Sequence, residues 1–283
     1  MKNVIIADKK EFERKKKIFS ESGSEKIHVL SDFDKTLTKA LYQGEKIGSL
    51  ISRLRNGNYL TKEYAQAAHA LFDTYHPIEI DSTISLEEKS KAMQEWWKKH
   101  KELLINSGVD RKTFSDCVKE MIETHIPELR DGALDFLTFL KNKKIPLIIL
   151  SSSLEDLIKE FLLQKKINYE NIHVVANGFT FDADGKAKGI RRIIHVFSKN
   201  EASLHTLPFY DELLPRKNII LLGDSIGDLG MVEGFPYECL LKIAFLNDKT
   251  EENLEEYKKQ FDVVILNDGS FEFVNEFLRG MGE

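Results

Sequence analysis

Ile27-His28-Val29-Leu30-Ser31-Asp32-Phe33-Asp34-Lys35-Thr36-Leu37-Thr38 opens as a short, largely apolar run and closes on acidic and hydroxyl residues. That shape is expected of a buried parallel strand carrying polar groups at its carboxyl end. Two later stretches repeat it. Leu147-Ile148-Ile149-Leu150 leads into Ser151-Ser152-Ser153, and Ile219-Ile220-Leu221-Leu222 leads into Gly223-Asp224-Ser225-Ile226-Gly227-Asp228. Val263-Val264-Ile265-Leu266 is a fourth such run and His173-Val174-Val175 a shorter fifth candidate. Apolar residues at helical spacing lie on either side of the second strand, at Ala133, Leu134, Phe136, Leu137, Phe139 and Leu140, then at Leu154, Leu157, Ile158, Phe161 and Leu162. Alternating strands and helices predict an α/β fold with a parallel sheet.

The first strand and the second are too far apart for a simple connection, since a βαβ unit needs only about 30 residues. The interval reads as helices. Thr61 to Tyr75 carries Tyr64, Ala68, Leu71, Phe72 and Tyr75 on one period, and Leu86 to Ile105 carries Met93, Trp96, Trp97, Leu103 and Leu104. We therefore expect a core formed by residues 1–43 and 128–283, with a helical cap over 44–127. Phe179 to Phe181 and Lys186 to Ile190 flank an Asp-Gly turn, the pattern of a β-hairpin. Calcium is a poor fit to Asp182 and Asp184, because the twelfth loop position holds Ile193 instead of glutamate.

Composition narrows the function classes. The 283 residues contain 42% apolar side chains, enough for a large core, and 41 basic against 46 acidic groups leave a net charge of only −5. Neither nucleic acid nor an anionic membrane is an expected partner. Two cysteines, Cys117 and Cys239, cannot form a disulfide framework or a zinc site of the C-x-x-C type. No apolar stretch approaches the roughly 20 residues of a spanning helix, and the N-terminal Val4-Ile5-Ile6 is too short for a signal segment. A cytoplasmic address is predicted, and nothing requires more than a monomer. The Lys15-Lys16-Lys17 run reads as the solvated side of an amphipathic helix that places Phe12, Ile18 and Phe19 inward.

The chemistry follows from the strand ends. In an open parallel sheet ligands bind beyond the carboxyl ends of the strands, so three polar segments distant in sequence can meet in one crevice. Asp32, Asp34, Asp224 and Asp228 crowded there would repel one another without a cation, and hard oxygen donors suit Mg²⁺. Asp32 and Asp34, two apart in extended chain, can face the same side. One carboxylate can attack phosphorus to give an aspartyl-phosphate while the other moves the proton. Ser151, with the backbone N–H groups that follow it at Ser152, would hold the phosphoryl group. A lysine is also needed near the developing charge, and sequence pattern alone leaves Lys188 and Lys199 as equal candidates.

With these residues in order, the chain resembles the haloacid-dehalogenase-type phosphatases in their first, second and fourth motifs. More narrowly, it is similar to the cytosolic pyrimidine 5′-nucleotidase family, type III. That likeness is carried by Asp32 to Thr38, Ile78-Glu79-Ile80-Asp81, Leu86-Glu87-Glu88-Lys89, Glu95-Trp96-Trp97, Ile194 to Lys199, Ile219 to Asp228 and Ile243 to Asp248. The resemblance implies a Rossmann-like core with a helical cap, and it selects Lys199. It also implies Asp32 as nucleophile, Asp34 as acid and base, and Mg²⁺ on the Asp32 and Asp224 carboxylates and the Asp34 backbone carbonyl. Asp228 would support the metal shell or Lys199. Glu79 would recognise the nucleobase, Trp96 and Trp97 would wall it, and His100 falls where the family has a substrate-binding serine. Ser153 replaces a family glycine, which puts the local backbone geometry in question.

The expected activity is Mg²⁺-dependent hydrolysis of nucleoside 5′-monophosphates, pyrimidine nucleotides such as CMP and UMP foremost. A 7-methylguanosine monophosphate nucleotidase or a nucleoside phosphotransferase is the alternative, and a non-catalytic nucleotide-binding protein is the rival from another class. Gly223-Asp224-Ser225-Ile226-Gly227 also fits the G-x-S-x-G elbow of serine hydrolases. That reading fails because the last histidine, His205, precedes Ser225.

Overall fold

A computed structural model describes residues 3–81, 83–233 and 235–281. Among the described residues the main sheet has seven strands. Side by side they are β1 (Val4–Ile6), β11 (Val263–Leu266), β10 (Cys239–Leu246), β9 (Asn218–Gly223), β2 (Ile27–Ser31), β5 (Leu147–Leu154) and β6 (Ile172–Asn177). All neighbours are parallel except β1, which pairs antiparallel with β11. The five expected strands are all present. Two more are not evident from apolar runs: β1 is three half-buried residues, and Lys242 interrupts β10.

Side chains alternate across the sheet, as a pleated strand requires. Val29, Ile149, Leu222 and Phe245 face one cluster, built with Phe19 of α1 (Lys9–Ser22), Phe136 of α6 (Ala133–Asn142), Phe161 of α7 (Glu155–Gln164) and Phe277 of α10 (Glu272–Arg279). Leu30, Ile148, Leu221 and Val264 face the other, with Leu213 of α8 (Tyr210–Leu213) and Tyr257 of α9 (Thr250–Gln260). Helices on both faces leave the strands buried throughout, which explains why β2, β5 and β9 read as continuous apolar runs. Each fully buried Phe contributes about 1.5–3 kcal/mol relative to exposure.

The interval between β2 and β5 holds α2 (Leu50–Asn56), α3 (Lys62–Ile80), α4 (Leu86–Asn106) and α5 (Arg111–Thr124). α3 and α4 pack on each other, and the Ser85–Glu88 capping box starts α4. α5 instead lies against α7, with Cys117, Val118 and Met121 in the same cluster as the sheet. A small ribbon, β3 (Leu41–Tyr42) with β4 (Glu45–Lys46), spans the 43/44 junction. α3 runs on through Pro77 for one more turn, tolerable so close to the helix end, and that turn carries Glu79. The expected hairpin is β7 (Phe179–Phe181) with β8 (Ala187–Ile190). In its turn Asp182 accepts hydrogen bonds from the Asp184 and Lys186 amides. Its carboxylate is a turn cap.

Candidate active site

The chain leaves β2 toward β5 on one side and β9 on the other, so a switch point opens beyond the end of β2. Asp32 follows β2 directly, and its amide donates to the Leu222 carbonyl at 3.0 Å, which ties it to the end of β9. Lys199 sits between two carboxylates. Its Nζ donates to Asp32 Oδ1 at 2.6 Å and to Asp228 Oδ1 at 2.8 Å, and all three groups are buried. Asp228 Oδ2 accepts from the Asp224 and Ser225 amides and from Ser225 Oγ, at 3.0–3.1 Å. Both Asp228 oxygens are therefore engaged, whereas Asp32 and Asp224 keep acceptor capacity. Oxygens of Asp32, Asp224 and Asp228 all lie within 4.8 Å of one another. Gly223 makes this packing feasible, because a Cβ there would stand 2.5 Å from that of Asp228.

Burial raises the Asp32 carboxyl well above its ordinary range; Lys199 opposes this and Asp228 and Asp224 reinforce it. Burial, then the Asp228 charge, pushes Asp224 up to about 7. Burial also opposes the Lys199 charge, but Asp228 and Asp32 outweigh it and hold the ammonium protonated. Lys188, the other candidate, lies on the hairpin with an exposed side chain 3.4 Å from Asp182. Of these two candidates it is Lys199 that reaches the strand ends.

Asp34 Oδ1 accepts the Leu50 amide at 2.9 Å, at the start of α2, and burial raises its carboxyl while this bond opposes the rise. The chain then turns through Lys35 at φ 61°. Arg130, fully buried, holds that turn: its guanidinium donates to the carbonyls of Lys35, Thr36 and Thr38, and to Asp268 at 2.8 Å. Nothing in the sequence pattern marks Arg130. Arg130→Met should destabilise the fold by about 3 kcal/mol or more, because Asp268 and several carbonyls lose their partner inside the protein. A denaturant titration that shows less than about 1 kcal/mol of loss would refute that role.

Ser151 and Ser152 close the pocket from β5. Ser151 Oγ accepts the Ser153 amide at 3.1 Å. Ser153 remains within β5 and is not among the residues with positive φ. The glycine of the resembled pattern is thus not required here on conformational grounds.

These groups open into a cavity of about 380 Å³ whose far wall is α3 and α4. Glu79, Trp96, Trp97 and His100 all line it, as do Asp32, Asp34, Ser151, Ser152, Lys199 and Asp224. Glu79 Oε2 is 3.0 Å from His76 Nδ1. Trp96 stacks on Tyr75, interplanar angle 9°, and Trp97 lies against His100. His100 Nε2 is 3.1 Å from the Tyr64 hydroxyl, and burial with the Arg55 charge lowers its pKa to about 4, so the ring is neutral. Arg55 and His76 line it without a signal in the sequence, Phe72 lines it from its place on the α3 period, and His195 from the Ile194 to Lys199 stretch of the family likeness. His195 is kept neutral by burial, with a pKa of about 4, and its Nδ1 accepts the Phe197 amide.

A carboxylate pair, a bridging lysine and an aromatic-walled chamber in one cavity can be compared with known proteins. The sequence profile of the family described as Pyrimidine 5′-nucleotidase (UMPH-1) matches residues 35–281. The chain belongs to the pyrimidine 5′-nucleotidase family. It is, with its relatives, a 5′-nucleotidase. The 7-methylguanosine phosphate-specific 5′-nucleotidases of Mus musculus and Homo sapiens are each 36% identical to it over 259 residues, 91% of this chain and 85% of theirs. The Drosophila melanogaster protein of that name is 33% identical over 267 residues, 93% of this chain and 82% of its own. The crystal structure of cytosolic 5′-nucleotidase IIIB bound to cytidine superposes with a TM-score of 0.91 at 30% identity, covering 100% of this chain and 94% of that one. A substrate-bound phosphoserine phosphatase shares the fold alone, with a TM-score of 0.54 at 14% identity over 89% of this chain and 97% of that one. The pyrimidine 5′-nucleotidase fold is thus the α/β fold of the haloacid-dehalogenase-like phosphatases.

Proposed function

We propose that this 5′-nucleotidase hydrolyses nucleoside 5′-monophosphates through an aspartyl-phosphate on Asp32, with Mg²⁺ as cofactor. The observation that carries the reading is the single cavity joining Asp32, Asp34 and Lys199 to Glu79 and Trp96. Its two ends match a phosphate and a base.

The donor set fits a hard cation. Asp32, Asp34, Asp224 and Asp228 are set against the bridging Lys199 ammonium and the Lys35 charge, and burial with the Asp228 charge still raises Asp224 to about 7. The Asp32 and Asp224 carboxylates with the Asp34 backbone carbonyl would hold Mg²⁺, and Asp228, already saturated, would support Lys199 and the loop. Bound there, Mg²⁺ supplies positive charge to the phosphoryl oxygens.

The protein's own groups account for the proton and bond changes. Asp32 attacks phosphorus, the bond to the nucleoside 5′ oxygen breaks, and Asp34 gives that oxygen its proton. Burial favours the protonated Asp34 needed for this. Asp34 then takes a proton from water as the water oxygen attacks phosphorus, and the Asp32–phosphorus bond breaks to free phosphate. Lys199 neutralises charge on the phosphoryl group, and Ser151 and Ser152 orient it. Residues 1–43 with 128–283 would act as the catalytic lobe and 44–127 as the base-recognising cap. The word cytosolic in the names of two relatives supports a cytoplasmic enzyme.

Rates of phosphate release from CMP, UMP, AMP, GMP and 7-methyl-GMP test the substrate class. CMP and UMP are expected to lead, supported by the cytidine in the superposed relative. The names of the curated relatives favour 7-methyl-GMP as the second reading. Glu79→Ala should lower kcat/KM for nucleotides by about tenfold to a hundredfold, the cost of one hydrogen bond to a charged group. A small phosphate ester should be nearly unaffected; equal losses would make Glu79 merely structural.

A further inference from the structure

We infer that Arg55 makes the base end of the cavity select an uncharged base bearing a carbonyl acceptor, and reject the cationic 7-methylguanine. The inference rests on the nucleotidase reading and deepens it.

Arg55 stands in the last turn of α2. The first residue of that helix, Leu50, donates its amide to Asp34, and five residues of helix advance about 8 Å. The helix thus reaches from the reacting end to the base end. There the Arg55 guanidinium carbon lies 4.5 Å from the centre of the Phe72 ring, which stacks on His76. Among the described residues Arg55 has no hydrogen-bond or ion-pair partner, and its Nε is buried without one. Burial opposes its charge, and Tyr64 and Asp73 support it without a hydrogen bond. A buried donor left in this state needs an acceptor, and the cavity it lines is where a base would supply one.

Charge decides which base. Glu79 brings one negative charge to this end and Arg55 one positive, while His100 is neutral. A neutral pyrimidine satisfies both: its N–H or amino group donates to Glu79 and its carbonyl accepts from Arg55. Cytosine and uracil both carry such a pair. 7-Methylguanine also offers donors to Glu79, but its fixed positive charge then faces the guanidinium in a partly desolvated space, where like charges repel strongly.

The test measures kcat/KM for CMP and 7-methyl-GMP, with p-nitrophenyl phosphate and a thermal melt as controls. Wild type should prefer CMP. Arg55→Met should lower the CMP to 7-methyl-GMP ratio about tenfold or more, through a raised KM for CMP and a lowered KM for 7-methyl-GMP. Arg55→Lys keeps the charge and removes Nε, so it should raise KM for CMP while still rejecting 7-methyl-GMP. A ratio in Arg55→Met within about threefold of wild type overturns the proposal. Should that variant not fold, an unchanged KM for CMP in Arg55→Lys overturns it. An active wild type that prefers 7-methyl-GMP overturns this proposal and leaves the nucleotidase reading standing; a wild type that releases phosphate from no nucleotide removes both.

Discussion

Asp32→Asn is expected to lower phosphate release from CMP by about four orders of magnitude or more, with the fold intact. The amide is nearly isosteric with the carboxylate but cannot attack phosphorus, and removal of a covalent nucleophile costs far more than removal of a binding contact. Stability should hold or rise slightly. Burial and the neighbouring Asp228 and Asp224 charges already disfavour the ionised Asp32, while Lys199 keeps its bond to Asp228 at 2.8 Å. Rapid-quench trapping of labelled phosphate on the protein provides a second readout: wild type should carry acid-stable label and Asp32→Asn none. A variant that retains a tenth of wild-type turnover would eliminate the aspartyl-phosphate route.

The second large effect is expected from chelation. Stripping divalent cations should reduce turnover to the level of a blank, and Mg²⁺ should restore it. The same site gives a readout independent of catalysis. A ligand that binds only the folded state stabilises it by about 2.7 kcal/mol at a hundred times its dissociation constant, so Mg²⁺ should raise the melting temperature of wild type. Asp224→Asn removes one of the two carboxylates proposed to hold the metal and should abolish that rise. Asp228→Asn leaves Lys199 with Asp32 alone and the loop amides with a weaker acceptor, so it should destabilise the protein while the Mg²⁺ response persists. If Mg²⁺ raises the melting temperature of wild type and Asp224→Asn equally, the metal site has been placed wrongly.

Much of the reacting half was legible in the sequence. β2, β5 and β9 are buried on both faces, so they appear as short apolar runs, and the sheet brings their polar ends to one crevice. The lysine was not legible from pattern. Lys188 and Lys199 are alike as letters, and only the fold puts one against Asp32 and the other on a hairpin surface. β1 and β10 were missed for related reasons: a three-residue strand has no measurable period, and Lys242 breaks the run of β10.

The base end was harder to read. Glu79, Trp96, Trp97 and His100 entered through family resemblance, and each lines the cavity. Arg55, Phe72 and His76 had no such prompt, because a single arginine or aromatic on an amphipathic helix looks like any half-exposed residue. Arg130 is the extreme case: a fully buried guanidinium that organises the turn after Asp34 lies far from it in the chain.

The layered α/β architecture and the acidic and serine-rich strand ends are legible in the chain alone, since strand burial and strand termination are local properties written in short windows. Only the folded chain shows which lysine bridges Asp32 and Asp228, which arginine holds the turn after Asp34, and which unpaired arginine lines the same cavity as Glu79. Those choices depend on distances between segments remote in the chain, and on the burial that strips a charge of water and makes its partner matter.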